Sequence, residues 1–247
     1  MDRQIVGLLC RTSDRTSDGA DGTRELAELL DARIVGACGE PAVGGWEDDL
    51  RGAHGCLLEA GGQLDDAIEA GRVPILLAAE CSVAVATLPS LVRRHPQARV
   101  LWLDAHADFH TPQTTTSGYL GGMCLAAACG LWDSGFGAGV EPPRVIMHGV
   151  REVDGPERVA LDLGGVHRID EADQVEGLEL FVHIDLDVLD PDVFPAQFPV
   201  PGGMLPPELR AFLACVAGVS TIVGAEITSA APGHGELIVD AITPLLT

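Results

Sequence analysis

The chain alternates between two kinds of pattern. Runs that are apolar at most positions, at residues 5–10, 73–78, 100–103, 144–150, 180–184 and 220–226, read as strands buried on both faces. Between them, apolar residues recur at helical spacing over 24–30, 62–70, 83–94 and 207–216, which read as helices packing one face on a core. Strand and helix in alternation predict an α/β fold: three layers, with a doubly wound, mainly parallel sheet of about eight strands. Turn formers dominate 114–118 and 199–206, which read as loops. No repeat, linker or low-complexity tract interrupts the pattern, so one domain is expected over residues 1–247.

Composition agrees with that architecture. Hydrophobic residues make up 47% of the chain but aromatics only 4%, a mix suited to a helix-covered parallel sheet. Lys and Arg number 15 against 37 Asp and Glu, a net charge of -22. That balance argues against nucleic acid and anionic membranes as partners, and favours small cationic substrates and metal ions. No apolar run approaches the ~20 residues that span a bilayer. The amino terminus reads as a first strand rather than a cleavable signal. The seven cysteines are odd in number and form no CxxC pair, which predicts free thiols in a reducing, cytoplasmic setting.

The polar residues that change the picture lie just beyond the apolar runs, where open α/β sheets collect their ligands. Asp104, His106 and Asp108 follow the 100–103 run at alternate positions, and Asp185 and Asp187 follow 180–184. If the chain continues extended, alternate side chains share a side and converge. Four carboxylates so placed would repel one another unless cations lay between them. An oxygen-rich set with one imidazole suits Mn2+ better than structural zinc. Two divalent ions and an activated water for hydrolysis are the expectation.

Five separated motifs carry a family resemblance. They are Asp104-Ala105-His106-Ala107-Asp108, Thr114-Thr115-Thr116-Ser117-Gly118, Gly149-Val150-Arg151-Glu152-Val153-Asp154, the segment from His183 through Asp185-Leu186-Asp187 to Asp190-Pro191, and Ala225-Glu226. Together they resemble the ureohydrolases, the arginase and agmatinase family. The resemblance implies a binuclear manganese cluster bridged by Asp104 and Asp185, with His106 and Asp187 on one ion and Asp108 on the other. It implies a catalytic part for Asp108 and for Glu226, which would orient the substrate guanidinium. It also implies that His110, Thr115, Ser117, Asp154 and Glu157 grip the amino-acid end of a guanidino substrate. His110 stands where arginases usually have Asn.

Two departures from the family pattern bear on the substrate. Ala78-Ala79-Glu80-Cys81-Ser82 puts Cys81 where the family has a His ligand, so a thiolate joins the expected ligand set. A thiolate brings one more negative charge than an imidazole and makes the cluster a weaker Lewis acid. Gly121 stands where arginases have a His that serves as general acid/base, and losing such a group costs ~10²–10⁴-fold. Both departures resemble family members that hydrolyse Nω-hydroxy-L-arginine to hydroxyurea and L-ornithine in D-cycloserine biosynthesis. An N-hydroxyl makes the guanidine less basic, and Gly121 is expected to leave space for it. His183, His110 and His234 are candidate replacements for the missing acid/base, with His183 expected as a hydrogen-bonded residue behind the ligands. A urea-releasing arginase or agmatinase and a non-catalytic homologue are the competing readings. Nothing in the sequence requires an oligomer, and a monomer is the expectation.

Overall fold

A computed structural model describes residues 2–41 and 44–247. The apolar runs form β1 (Arg3–Leu8), β3 (Val73–Ala78), β4 (Arg99–Leu103), β5 (Val145–His148), β7 (Glu179–Asp185) and β8 (Thr221–Thr228). Two short strands escaped the pattern reading: β2 (Arg33–Val35) and β6 (His167–Arg168). They are the two edges of the sheet, largely exposed, and so carry no apolar run to recognise.

The order β2-β1-β3-β8-β7-β4-β5-β6 is parallel throughout. The chain steps from β1 outward to β2, crosses back to β3 on the inner side of β1, and then winds outward from β4 through β5 to β6 on the other side. β7 and β8 return to fill the gap between β3 and β4. The carboxyl ends of β3, β8, β7 and β4 therefore stand side by side at the point where the winding reverses. That is where such sheets open a crevice.

Helices cover both faces. Alternation along the strands sends Leu76, Trp102 and Phe181 to one core, with α3 (His54–Glu69), α4 (Ala84–Arg94) and α5 (Cys124–Ala128) above it. Ile75, Leu101 and Val182 face a second core under α1 (Asp18–Leu29), α7 (Pro206–Val219) and α8 (Gly235–Leu246). Two further helices, α2 (Trp46–Gly52) and α6 (Gly155–Gly164), sit in the connections. A capping box starts α6: the Asp154 carboxylate accepts from the Glu157 amide, and Glu157 accepts from the Asp154 amide. The helices at 24–30 and 62–70 begin earlier than expected: α1 opens on polar and small residues, and α3 adds a segment that buries Leu57 and Ala60. Among the described residues, no helix is long and apolar enough to cross a membrane.

One expectation about the cysteines is corrected. Cys10 and Cys56 form a disulfide with Cα atoms 6.0 Å apart, while Cys38, Cys81, Cys124, Cys129 and Cys215 are free. The pair was invisible in the sequence because only the fold brings the chain beyond β1 against α3. Cysteine usage no longer argues for a reducing compartment.

Candidate metal centre

The expected ligands meet at the β3–β8–β7–β4 crevice, in a cavity of about 410 Å3. The local route differs from the extended chain read in the sequence. β4 ends at Leu103, and Asp108 adopts φ 50°, a left-handed conformation that Asp tolerates better than most residues. A turn, not a continued strand, brings Asp108 back toward Asp104. On β7, Asp185 is the last strand residue, and Asp187 lies in a short 3-10 turn over Leu186–Val188. Ser229, beyond β8, also holds a positive φ of 60° and donates to Asp185 Oδ2 at 2.6 Å.

Three groups of donor atoms cluster here, each with its atoms within 4.8 Å of one another. They are Asp104 with His106 and Asp187, Cys81 with Asp104 and Asp185, and Cys81 with Asp108 and Cys124. Asp104 and Cys81 each belong to two of these groups, and Asp185 to one. The protein orients each ligand from behind. Asp104 accepts from the Trp102 indole at 3.1 Å and from the His106 amide at 2.6 Å. Asp187 accepts from the Ala105 amide at 3.0 Å, and His106 Nδ1 lies 2.9 Å from Asp187 Oδ2. Asp185 accepts from the Asp187 amide at 2.9 Å.

The electrostatics say what this arrangement lacks. Burial, then repulsion from Asp187 and Asp108, lifts the Asp104 carboxyl well above the usual range. Burial also pushes Asp108 up to about 8 and Asp185 to about 6. The Cys81 thiol rises through its contact with Cys124, then burial, then the Asp108 charge. Burial opposes a charge on His106, yet its bonds to Asp104 and Asp187 outweigh that and raise it to about 12. Buried acids crowded so closely repel one another, and only cations between them relieve that repulsion. Divalent ions in their midst would reverse the carboxyl and thiol shifts, so the donor set fits a pair of such ions.

The other expected residues divide. His110, Ser117, Asp154 and Glu157 line the cavity. His110 Nε2 lies 3.3 Å from Asp154 Oδ2 and 3.6 Å from Glu157 Oε2. Thr115 does not line it; its hydroxyl accepts from the Gly118 amide at 3.0 Å and shapes the loop. Glu226 is not brought to the cavity either. Its carboxylate is fully buried, accepting from Thr87 Oγ1 at 2.7 Å and meeting His183 Nδ1 at 2.8 Å. His183 stacks on Trp102 with ring centroids 3.5 Å apart, in the layer behind Asp104. His234 lies away from the cavity, with Nδ1 3.2 Å from the Pro232 carbonyl. Residues unnoticed in the sequence complete the walls: Glu80, Tyr119, Glu152, Gln197 and Phe198.

Comparison with known proteins bears directly on this geometry. The arginase family model matches residues 50–238. The chain belongs to the arginase family. The Nω-hydroxy-L-arginine amidinohydrolase of Streptomyces lavendulae is 36% identical over 96% of this chain and 92% of its own length. The arginase of Bacillus caldovelox is 28% identical over 68% of this chain and 64% of its own. The solved structure of that arginase superimposes with a TM-score of 0.78 at 22% identity, covering 99% of this chain and 97% of that one. Entamoeba histolytica arginase, in complex with L-ornithine, gives 0.82 at 18% identity, covering 99% and 97%. The fold is thus the three-layer arginase fold, and this arginase-family chain is a hydrolase of amidino C–N bonds.

Proposed function

We propose that this protein is a binuclear manganese amidinohydrolase that converts Nω-hydroxy-L-arginine to hydroxyurea and L-ornithine, in D-cycloserine biosynthesis. The observation that carries this reading is a cavity that keeps the acids of the family, has a thiol at Cys81, and has no imidazole at Gly121. The Streptomyces lavendulae relative, similar along nearly the whole chain, supports the same substrate.

Asp104, Asp185, His106, Asp187, Cys81 and Asp108 would hold the two ions. When bound, two Mn2+ ions supply Lewis acidity that brings the pKa of a bound water near neutrality. The chain's own residues do the rest. His110, Asp154 and Glu157 form one charged wall, suited to the α-amino end of the substrate, with Ser117 available to its carboxylate. Asp108 holds at a carboxylate oxygen the proton released when water adds to the guanidine carbon. That proton leaves with the ornithine nitrogen as the C–N bond breaks. An N-hydroxylated guanidine is much less basic than a plain one, so its neutral form is accessible to attack near pH 7. The missing imidazole then matters less than it would for L-arginine. Glu226 supports the site from behind, through His183 and Trp102 to Asp104.

The test is to incubate Mn2+-loaded protein with L-arginine, agmatine and Nω-hydroxy-L-arginine in parallel and identify the products. Hydroxyurea and ornithine formed fastest from the hydroxylated substrate is the expected result. Faster urea release from L-arginine or agmatine would overturn it, and failure to bind metal would point to a non-catalytic homologue.

A further inference from the structure

The place expected to stand open at Gly121 is filled. A Cβ built on Gly121 would lie 2.5 Å from Tyr119 Cε1 and 3.0 Å from Cζ, so any side chain there must displace the phenol ring. The ring is held from three directions. Phe198 packs against it with centroids 4.9 Å apart, the Arg15 guanidinium lies 5.1 Å from its centroid, and its hydroxyl donates to Glu80 Oε2. Glu80 is only 4% exposed and precedes Cys81 on the loop after β3. Glu80 and Tyr119 line the same cavity as Cys81, Asp108 and Asp185.

The absent imidazole has therefore been replaced by a fixed phenol. A phenol oxygen offers one proton and two lone pairs. Here the proton is committed to Glu80 and the Ser13 side chain also bonds the phenol, so what the oxygen has left to offer is one further acceptor position. An N-hydroxyguanidine carries an O–H one heavy atom beyond the nitrogen, whereas L-arginine ends at N–H. We propose that Tyr119, oriented by Glu80, is a specificity-determining residue that accepts a hydrogen bond from the N-hydroxyl of the substrate and so selects a hydroxylated guanidine over a plain one. The proposal rests on the function given above. A substrate without the hydroxyl leaves that remaining position of a desolvated oxygen unfilled, the arrangement by which sites discriminate against analogues lacking a polar group.

The experiment compares kcat and KM for Nω-hydroxy-L-arginine and L-arginine in the Mn2+-loaded wild type, Tyr119→Phe and Gly121→Ala, with melting temperatures for each. Inhibition by hydroxyurea and by urea gives a readout independent of turnover. Phenylalanine keeps the ring and its packing on Phe198 while removing the oxygen. It is expected to lower kcat/KM for the hydroxylated substrate by about 10–100-fold more than for L-arginine. Preference for hydroxyurea over urea as inhibitor should fall with it. Gly121→Ala, by displacing the ring, should erode the same two ratios without touching the phenol chemically. If both ratios stay at wild-type values in Tyr119→Phe at an unchanged melting temperature, the role of Tyr119 is overturned while the proposed function stands. Equal losses on both substrates overturn it too, since they mark a structural role. A wild type that prefers L-arginine overturns both.

Discussion

The two sides of the acidic cavity are built from different materials. On the His106 side Asp104 and Asp187 are met by N–H groups: the amides of Ala105 and His106 and the indole of Trp102. On the Cys81 side the neighbours are sulfur and acid. Cys81, Cys124, Asp108 and Glu80 are all buried, and burial or crowding raises every one of them. Protein N–H groups therefore orient the carboxylates of the first side, while sulfur and acid crowd the second. Metal binding on either side must displace protons from raised groups, so metal affinity should fall with acidification.

The largest expected effect removes the distinction altogether. Asp185→Asn should fold, since the Thr228 and Ser229 hydroxyls that donate to Asp185 can turn and accept instead. It should cost more activity than the ~10²-fold typical of losing an outer partner of a ligand, with metal content falling in parallel. Next, Cys81→Ser should weaken one of the two ions by about 10–100-fold and leave the other in place, read by metal titration. Cys81→His should restore charge to the cluster and move the acidic limb of the pH–rate profile to lower pH. Loss of both ions together in Cys81→Ser would show that the two sides do not act separately.

A third prediction concerns the shared layer behind both sides. Glu226→Ala leaves His183 Nδ1 and Thr87 Oγ1 unpartnered in the core and should destabilise the fold by roughly 1–3 kcal/mol, measured by denaturant unfolding. The smallest effect is a slope. In metal-free protein Asp104, Asp108, Asp185 and His106 all have folded pKa values above their unfolded ones. The native state then holds more protons than the unfolded one, so stability is greatest at low pH and is lost as pH rises through the folded values. The metal-free melting temperature should fall between pH 5 and pH 8, through the windows of Asp185 near 6 and Asp108 near 8. Added Mn2+ should raise it most at the upper end.

What could be read from the sequence was what is local. The six long strands, and five potential ligands placed just beyond two of them, depend on spacing within a few residues. The turn at Asp108 was not legible, because alternation looks the same whether the chain runs on or folds back. Glu226 misled for a related reason: a carboxylate near a strand end can face the crevice or the layer beneath it, and only His183 and Thr87 decide. The Tyr119–Glu80 wall joins loops 39 residues apart, and the Cys10–Cys56 bond spans 46. Contacts of that range leave no periodicity to detect. The edge strands β2 and β6 lacked the apolar signal because solvent covers them.

Arg151 carries a last consequence. Its guanidinium donates to the carbonyls of Gly149, Asp187, Val188, Leu189 and Val200. That guanidinium lies one residue from cavity-lining Glu152. With its donors engaged in the ring of carbonyls, Arg151 fastens the 149–152 segment to the turn that carries Asp187 and to Val200 of the 199–206 loop, so one side chain ties a wall of the cavity to a ligand-bearing turn.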